Sequence, residues 1–506
     1  MSKKEKGRKW DGKSRVSNDL YRKNFEIIFG KKIDKSIVIK TLVVVHFLIC
    51  SMSLSAQTEV ASLAALVPYL AQDSVNVVVK KGVYNITVKD IENGTFKSHT
   101  NIDDHNALVL LLFSGNNSTY DFTDVTINVE TKVLTAFKNY REFYELQITG
   151  NNNVIKNLTL ADVGSVHDHP TRRACNVVMD GASNRIEGLH LSTKGSYPYG
   201  YGETFGKGGK NVIPHFKHSA FLVRGYKNHV KNCTIIHRSY GHALFMQAAD
   251  EPLIEGCYIE GTMRSTDDML AETGTGTDGD KAGFMTYFGY KLPPGYMMSL
   301  GEGGIRAYNG GETIIDGVEY NRGTSNPTII NCTVKNMRAG VTLTHATGKK
   351  YVSGTTTIGC ERGFCIGTGD IVDCYADTQY GPALGVDYIT DSGTNADITL
   401  LPYEGESYNG SGHAAIIIGS NHKITLRSAI PDPDQNLKIQ IGGDNKTIGL
   451  LKSDENYTAS HILLHNLTAY PIVLDEDSSG IKGVSAGKVI DEGQNNHLSY
   501  KSIFQD

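Results

Sequence analysis

Lys217 and Arg238 stand 21 residues apart in a stretch crowded with histidine and tyrosine, His215-Phe216-Lys217-His218 and Ile236-His237-Arg238-Ser239-Tyr240-Gly241-His242. Arg173, after Thr171-Arg172, falls one repeat before Lys217. Stacked cations hold an anion, and the imidazole and phenol groups among them can carry its protons. Side chains this far apart in sequence share a face only if the backbone returns to the same place every coil. A repeat of about that length is therefore the first thing the chemistry requires.

The repeat is present. One pattern of an apolar residue, a turn residue and an alternating strand recurs in Val154-Ile155-Lys156-Asn157-Leu158-Thr159-Leu160 and Arg185-Ile186-Glu187-Gly188-Leu189-His190-Leu191. It returns around Asn232-Cys233-Thr234, Gly256-Cys257-Tyr258, Asn331-Cys332-Thr333 and Asp373-Cys374-Tyr375. Leu158, Leu189, Cys233 and Cys257 follow one another at steps of 31, 44 and 24, which is one coil of roughly 22 to 24 residues with insertions. Short strands at this period predict an all-β fold, a right-handed parallel β-helix forming a single-stranded solenoid over 57–490. Residues 59–72 are expected to form a short N-terminal capping helix, 75–84 a first strand, and 491–506 a C-terminal tail. Aligning Cys233 with Cys257 lays 218–223 under 242–247, with Ala220 and Leu222 beneath Leu244 and Met246. Further coils are expected at 314–317, 328–331, 371–374, 415–418, 438–441 and 461–464. Two stretches break the pattern, 192–216 and 262–311, and both flank the cationic coils, so they are expected to wall the site into a groove.

Charge and cysteine content narrow the setting. Residues 1–56 form a basic N-terminal extension followed by an apolar run and Ser53-Leu54-Ser55-Ala56, which reads as a secretory signal peptide cleaved after Ala56. The run is too short to span a bilayer comfortably, so the mature chain is expected secreted or periplasmic, with no membrane span. Of 50 basic and 54 acidic residues, 37 and 49 lie beyond Ala56. A chain this acidic is a poor partner for nucleic acid, and a polyanion must be held by a local basic cluster. Eight cysteines include Cys50, leaving an odd seven with no C-x-x-C pairing of the zinc type. Cys233, Cys257 and Cys332, with Cys374 as a looser fourth, are expected as buried rungs, Cys233 stacked on Cys257 as free thiols.

The run Lys217-His218-Ser219-Ala220-Phe221-Leu222-Val223-Arg224-Gly225, followed by Arg238, resembles the Lys/Arg catalytic arrangement of β-helical alginate lyases in polysaccharide lyase families six and thirty-one. The segment 197–308 is more similar to family thirty-one. The resemblance implies an enzyme that cleaves an anionic, uronate-containing polysaccharide, most of all alginate, by β-elimination. That reaction removes the C5 proton beside a carboxylate and expels the glycosidic oxygen at C4, so it needs a base, an acid and a neutralising charge. On this reading Lys217 is the base, provided that neighbouring cations and burial lower its pKa. Arg238 is then the acid or charge stabiliser. Arg173, Arg264, Arg306 or a bound Ca2+ would neutralise the carboxylate, Tyr199, Tyr201 and Tyr240 would stack on sugar rings, and His218 and His242 complete the substrate-binding set. The calcium ligands of family six find no counterpart here, so no metal ligand is assigned.

Two other classes compete. A β-helical glycoside hydrolase needs two carboxylates roughly 5 to 9 Å apart, and Asp267, Asp268, Glu272 and Glu302 are available in the second insertion. A carbohydrate-binding or adhesive β-helix needs none, because the coil pattern itself specifies no chemistry.

Overall fold

The structure, a computed structural model, describes residues 57–102, 105–137, 139–166, 173–206, 212–430, 433–444 and 456–501. The expected signal peptide lies outside the described residues.

Each coil is built from short strands whose alternate residues turn inward. In Thr234–Arg238, Ile235 and His237 are buried while Thr234, Ile236 and Arg238 are half-exposed. Turns between strands need a left-handed residue, and asparagine or glycine supplies it: Asn157, Asn232 and Asn331 have φ of 59°, 51° and 53°. At Gly256, φ 63°, an added Cβ would meet the Asn232 side chain at 2.3 Å, so the coil-to-coil contact itself demands glycine. A second device is an internal asparagine ladder. The Ser118 amide donates to Asn153 Oδ1 at 3.0 Å, Asn153 to Asn184 at 2.8 Å and Asn184 to Asn228 at 2.8 Å, which satisfies buried amides from one coil to the next.

Among the described residues, 21 strands form one long sheet and 14 a second. Along the second sheet Glu142–Ile148 pairs in parallel with Arg173–Met179, which pairs with Lys217–Tyr226, then Leu244–Asp250, Gly303–Ala307 and Ala339–Thr342. The chain is a parallel β-helix, as its repeat requires. Its core is one continuous apolar column from Val60 to Ile481. Cys233, Cys257 and Cys332 are free, buried rungs within it, and the other four described cysteines are also free and buried.

The structure corrects four details of the sequence reading. Phe221 pairs with Leu244 and Val223 with Met246, so Phe221 and Val223, not Ala220 and Leu222, stack beneath them. A one-residue slip exchanges the faces of a strand. Leu222 accordingly points outward, where it packs with Tyr144, Cys175, Val178 and Phe245. Residues 314–317 are no coil. Glu312–Ile315 and Val318–Asn321 form an antiparallel hairpin, turned by Asp316 and Gly317 at φ 52° and 77°.

The remaining two corrections concern the ends. The cap is a single turn, Leu63–Leu66, with Val67–Tyr69 as a 3-10 extension, and Gln57–Val60 is already a strand on Asn76–Val79. Ser62 caps the turn, and Leu63, Leu66 and Leu70 close the end of the core. At the other end Val489–Asp491 and His497–Tyr500 add one more strand to each sheet, so coils continue past residue 490. No helix among the described residues is long and apolar enough to cross a membrane.

Burial leaves a pH signature. Desolvation, helped by Lys438, pushes His413 down to about 4, and desolvation with Lys217 pushes His215 down to about 4. The unfolded chain, with histidine near 6.5, binds these protons first as pH falls, so stability is lost from about pH 6.5 towards 4. Each group sets a slope of at most about 1.4 kcal/mol per pH unit. The melting temperature of His413→Asn is expected to fall less steeply with pH across that window than that of wild type.

Candidate active site

Parallel register brings outward residues of successive coils into rows. Glu142, Arg173 and Lys217 stand opposite one another on the second sheet, and the His218 amide bonds to the Tyr240 carbonyl of the next coil at 2.9 Å. A further row runs Gln147, Val178, Leu222, Phe245 and Arg306. Glu142, Arg173, Lys217, Leu222 and Phe245 of these rows line a cavity of about 310 Å³, together with Arg224, His242, Gln247 and Tyr308. Its floor is the apolar patch around Leu222 and Phe245; its walls are polar, with Arg173, Lys217 and Arg224 against the carboxylate of Glu142.

Lys217 Nζ lies 2.7 Å from Glu302 Oε1 and 5.2 Å from the centre of the Tyr240 ring. Burial would raise the Glu302 carboxyl, but the Lys217 and Arg338 charges around it, with the Lys217 hydrogen bond, outweigh burial and hold it well below the usual carboxylate range. Its other oxygen is 3.2 Å from His242 Nε2. Burial keeps His242 neutral against the pull of Glu302, with Lys217, Arg306 and Arg338 adding to the effect.

The His242 tautomer follows from its partners. Nδ1 accepts the Gly303 amide at 3.1 Å, so the single ring proton of the neutral imidazole sits on Nε2. Nε2 is 2.6 Å from Tyr308 Oη. A phenol oxygen that accepts from Nε2 keeps its own proton free to point elsewhere, and Tyr308 lines the cavity. Burial and the Glu302 charge raise the Tyr308 pKa above its ordinary value, so the phenol holds its proton at neutral pH. The Arg306 guanidinium stacks 4.6 Å from the centre of the Tyr308 ring. Arg173, with a side chain two-thirds exposed, stands 3.2 Å from Glu142, whose other oxygen takes the Tyr144 hydroxyl. Arg224 is buried, 3.2 Å from Asp180, and donates to the Glu312 carbonyl, closing one end of the cavity.

Lys217, Arg173 and His242 are therefore brought together, with Arg306 in the adjoining coil. Arg238 is not. It ends a strand of the long sheet, opposite Lys194, and donates to Glu260 Oε1 at 2.9 Å and to the Gly261 carbonyl at 2.7 Å. The step of 21 residues from Lys217 stops short of the turn that carries the chain from one sheet to the other, and the coil partner of Lys217 is Tyr240. An ion pair as open as Arg238 with Glu260 contributes at most about 1 kcal/mol. Arg238→Ala is thus expected to leave turnover within about threefold of wild type, read in the same assay as the cavity variants.

The other expected contacts are structural. Tyr240 is buried beneath Lys217 and donates to the Gly206 carbonyl at 3.1 Å. Tyr201 donates to Glu272 at 2.7 Å, and Arg264 pairs with the same carboxylate 5.7 Å from the Tyr201 ring, inside an apolar cluster shared by the two insertions. Tyr199 is exposed on that insertion near Arg238. His218 points into the core. Glu142, Arg224, Gln247 and Tyr308 line the cavity, and Glu302 lies against Lys217 behind it, without having been singled out for this role. Of these only Tyr308 carried a signal, as an outward position in the alternation Ile305-Arg306-Ala307-Tyr308.

Of the four carboxylates considered for hydrolysis, Glu302 pairs with Lys217 and the other three serve the loops. Asp267 accepts the Gly295 amide at 3.2 Å, Asp268 sits in the first turn of Thr266–Leu270, and Glu272 holds Arg264. Calcium needs six to eight oxygens, and the cavity gathers no such set: Glu142 is taken by Arg173 and Tyr144, and Glu302 by Lys217.

No protein-family model and no curated protein sequence matches the chain. Among solved structures it is similar to a family-six alginate lyase in complex with a trisaccharide, at 11% identity over 87% of this chain and 88% of that one, TM-score 0.43. A mannuronic acid specific family-six polysaccharide lyase from human gut microbiota matches at 10% identity over 88% and 83%, TM-score 0.41. The Dettilon tailspike protein matches at 11% identity over 87% and 64%, TM-score 0.33.

Proposed function

We propose that the chain is a polysaccharide lyase that cleaves a uronate polymer, alginate first among them, by β-elimination in this cavity. The observation that carries the reading is that Lys217 and the proton-holding Tyr308 face one cationic cavity on an acidic chain. Tyr308 keeps a proton that His242 does not compete for, which suits it to protonate the departing oxygen at C4. Of the remaining nitrogen groups, arginine does not release its proton, and both nitrogens of His242 are engaged. Lys217, in its unprotonated amine form, is then the base that takes the C5 proton; the ammonium form is the one that pairs with Glu302. As the C5–H and C4–O bonds break, the C4=C5 double bond forms and the released chain end gains the Tyr308 proton. Arg173, exposed beside Lys217, and Arg306 offset the carboxylate charge that builds at C5. Export of the chain, with residues 1–56 removed, fits a polymer too large to enter a cell.

Incubation with alginate, pectate and glycosaminoglycans tests the reading. An ultraviolet absorbance rise from an unsaturated uronate is expected on at least one, most strongly on alginate. New reducing ends without that absorbance would indicate a hydrolase, and binding without cleavage an adhesin.

A further inference from the structure

The strand that presents Lys217 outward presents His218 inward, and there the apolar core is interrupted. Glu145, Asp162 and His218 are all buried, at 1%, 2% and 0% exposure. One donor atom from each lies within 4.8 Å of the others, and no other such trio occurs among the described residues. Asp162 Oδ2 accepts from the Lys194 amide at 2.9 Å and from Asn176 at 3.0 Å. With both carboxyls ionised, its Oδ1 and the Glu145 oxygens find no hydrogen-bond donor at full strength; a protonated Glu145 would bond to Asp162. His218 Nδ1 meets the Lys194 carbonyl at 2.9 Å and stands 3.8 Å from Asp162 Oδ2, which places the ring proton on Nδ1, while the Nε2 lone pair, also buried, has no partner.

Two buried carboxyls short of donors, beside a histidine with one bare ring nitrogen, are costly in a solenoid core unless something joins them. Two carboxylates share the spot, and among the groups around them no lysine or arginine side chain bonds to either. A histidine that gives one ring N–H to a backbone carbonyl and keeps the other nitrogen bare is the usual arrangement of a metal ligand. We propose that Glu145, Asp162 and His218 bind a divalent first-row transition ion, of the Zn2+ or Mn2+ kind, inside the β-helix. Two oxygens with an imidazole nitrogen suit such ions better than Ca2+ or Mg2+, which favour oxygen alone. The site is distinct from the cavity, none of whose lining residues belong to it, and it stands whether or not the lyase reading holds. Its place explains why it matters: it ties the long sheet, through Asp162, to the strands of the second sheet that carry Glu142 and Lys217.

Without an ion the same cluster has one alternative. Burial, then the charge of Asp162, raises the Glu145 pKa well above the carboxylate range, so Glu145 would hold a proton. The two states are distinguishable. Chelator-treated full-length mature chain is titrated with Co2+, followed by visible absorbance, and with Zn2+, followed by melting temperature. One equivalent of Co2+ with ligand-field bands, and a melting temperature raised by Zn2+, are expected. Glu145→Gln, which keeps the volume, should weaken Co2+ binding by about 100-fold or more, beyond what loss of an outer partner costs. If the wild-type chain takes up neither ion in stoichiometric amount, and its infrared spectrum shows a protonated carboxyl that Glu145→Gln removes, the metal site is overturned in favour of the proton. The wild-type titrations decide the matter even if the variant does not fold.

Discussion

Lys217→Ala is expected to lower turnover on the uronate polymer by about 100-fold or more, because it removes the proton acceptor from a rigid strand. Lys217→Arg should be almost as inactive. Its guanidinium preserves a cation beside Glu302 yet does not give up a proton at working pH, so the pair of variants separates the base from mere charge. Loss of Lys217 also removes the 2.7 Å partner of a buried carboxylate, and Lys217→Ala is expected to melt lower than Lys217→Arg. Near-wild-type turnover in the arginine variant would remove Lys217 from the base role while leaving the fold reading untouched.

Tyr308→Phe is the second large effect. It deletes one oxygen and keeps the ring under Arg306, so packing is preserved and a fall in kcat of about 100-fold or more is expected with little change in KM. A donor must hold its proton, so wild-type activity should persist to the raised pKa of Tyr308 and be lost only as pH climbs through it, above the ordinary tyrosine value of 10. In Tyr308→Phe the residual rate should not show that alkaline fall. The His242 Nε2 proton, left without Tyr308, still has Glu302 3.2 Å away, which is why this change is expected to spare the fold.

The coil was legible because its signals are local and repeated. Left-handed asparagines such as Asn232 and Asn331, alternating strands and a rung of cysteines each mark the same period. Register was not legible to the residue: aligning Cys233 with Cys257 is correct on the long sheet and at Gly225 with Ala249, but the irregular pairing between Val223 and Gly225 shifts the rest of that strand by one. That single residue turned Phe221 and Val223 inward and Leu222 outward. It also explains the site. Lys217, Arg173 and His242 were found by residue type within the right coils, whereas Arg238 was placed by counting 21 residues across a change of sheet. Asp316-Gly317 was a hairpin signal read as a coil because the isoleucines before it fit the period. Glu302 and Tyr308 reach the site only because Gly303–Ala307, within the stretch read as the second insertion, returns to the second sheet, and the part Tyr308 plays depends on a tautomer set by the Gly303 amide, which no sequence spacing reports.

Elimination and hydrolysis differ in where the atoms of water go. Cleavage of alginate by the wild-type chain in water enriched in 18O, followed by mass spectrometry of the first products, measures this directly. The lyase reading requires fragments that gain no 18O in the cleavage step, with one end 18 mass units lighter than a hydrolytic product through its C4=C5 double bond. Fragments of full hydrolytic mass that carry one 18O from the cleavage step would contradict it.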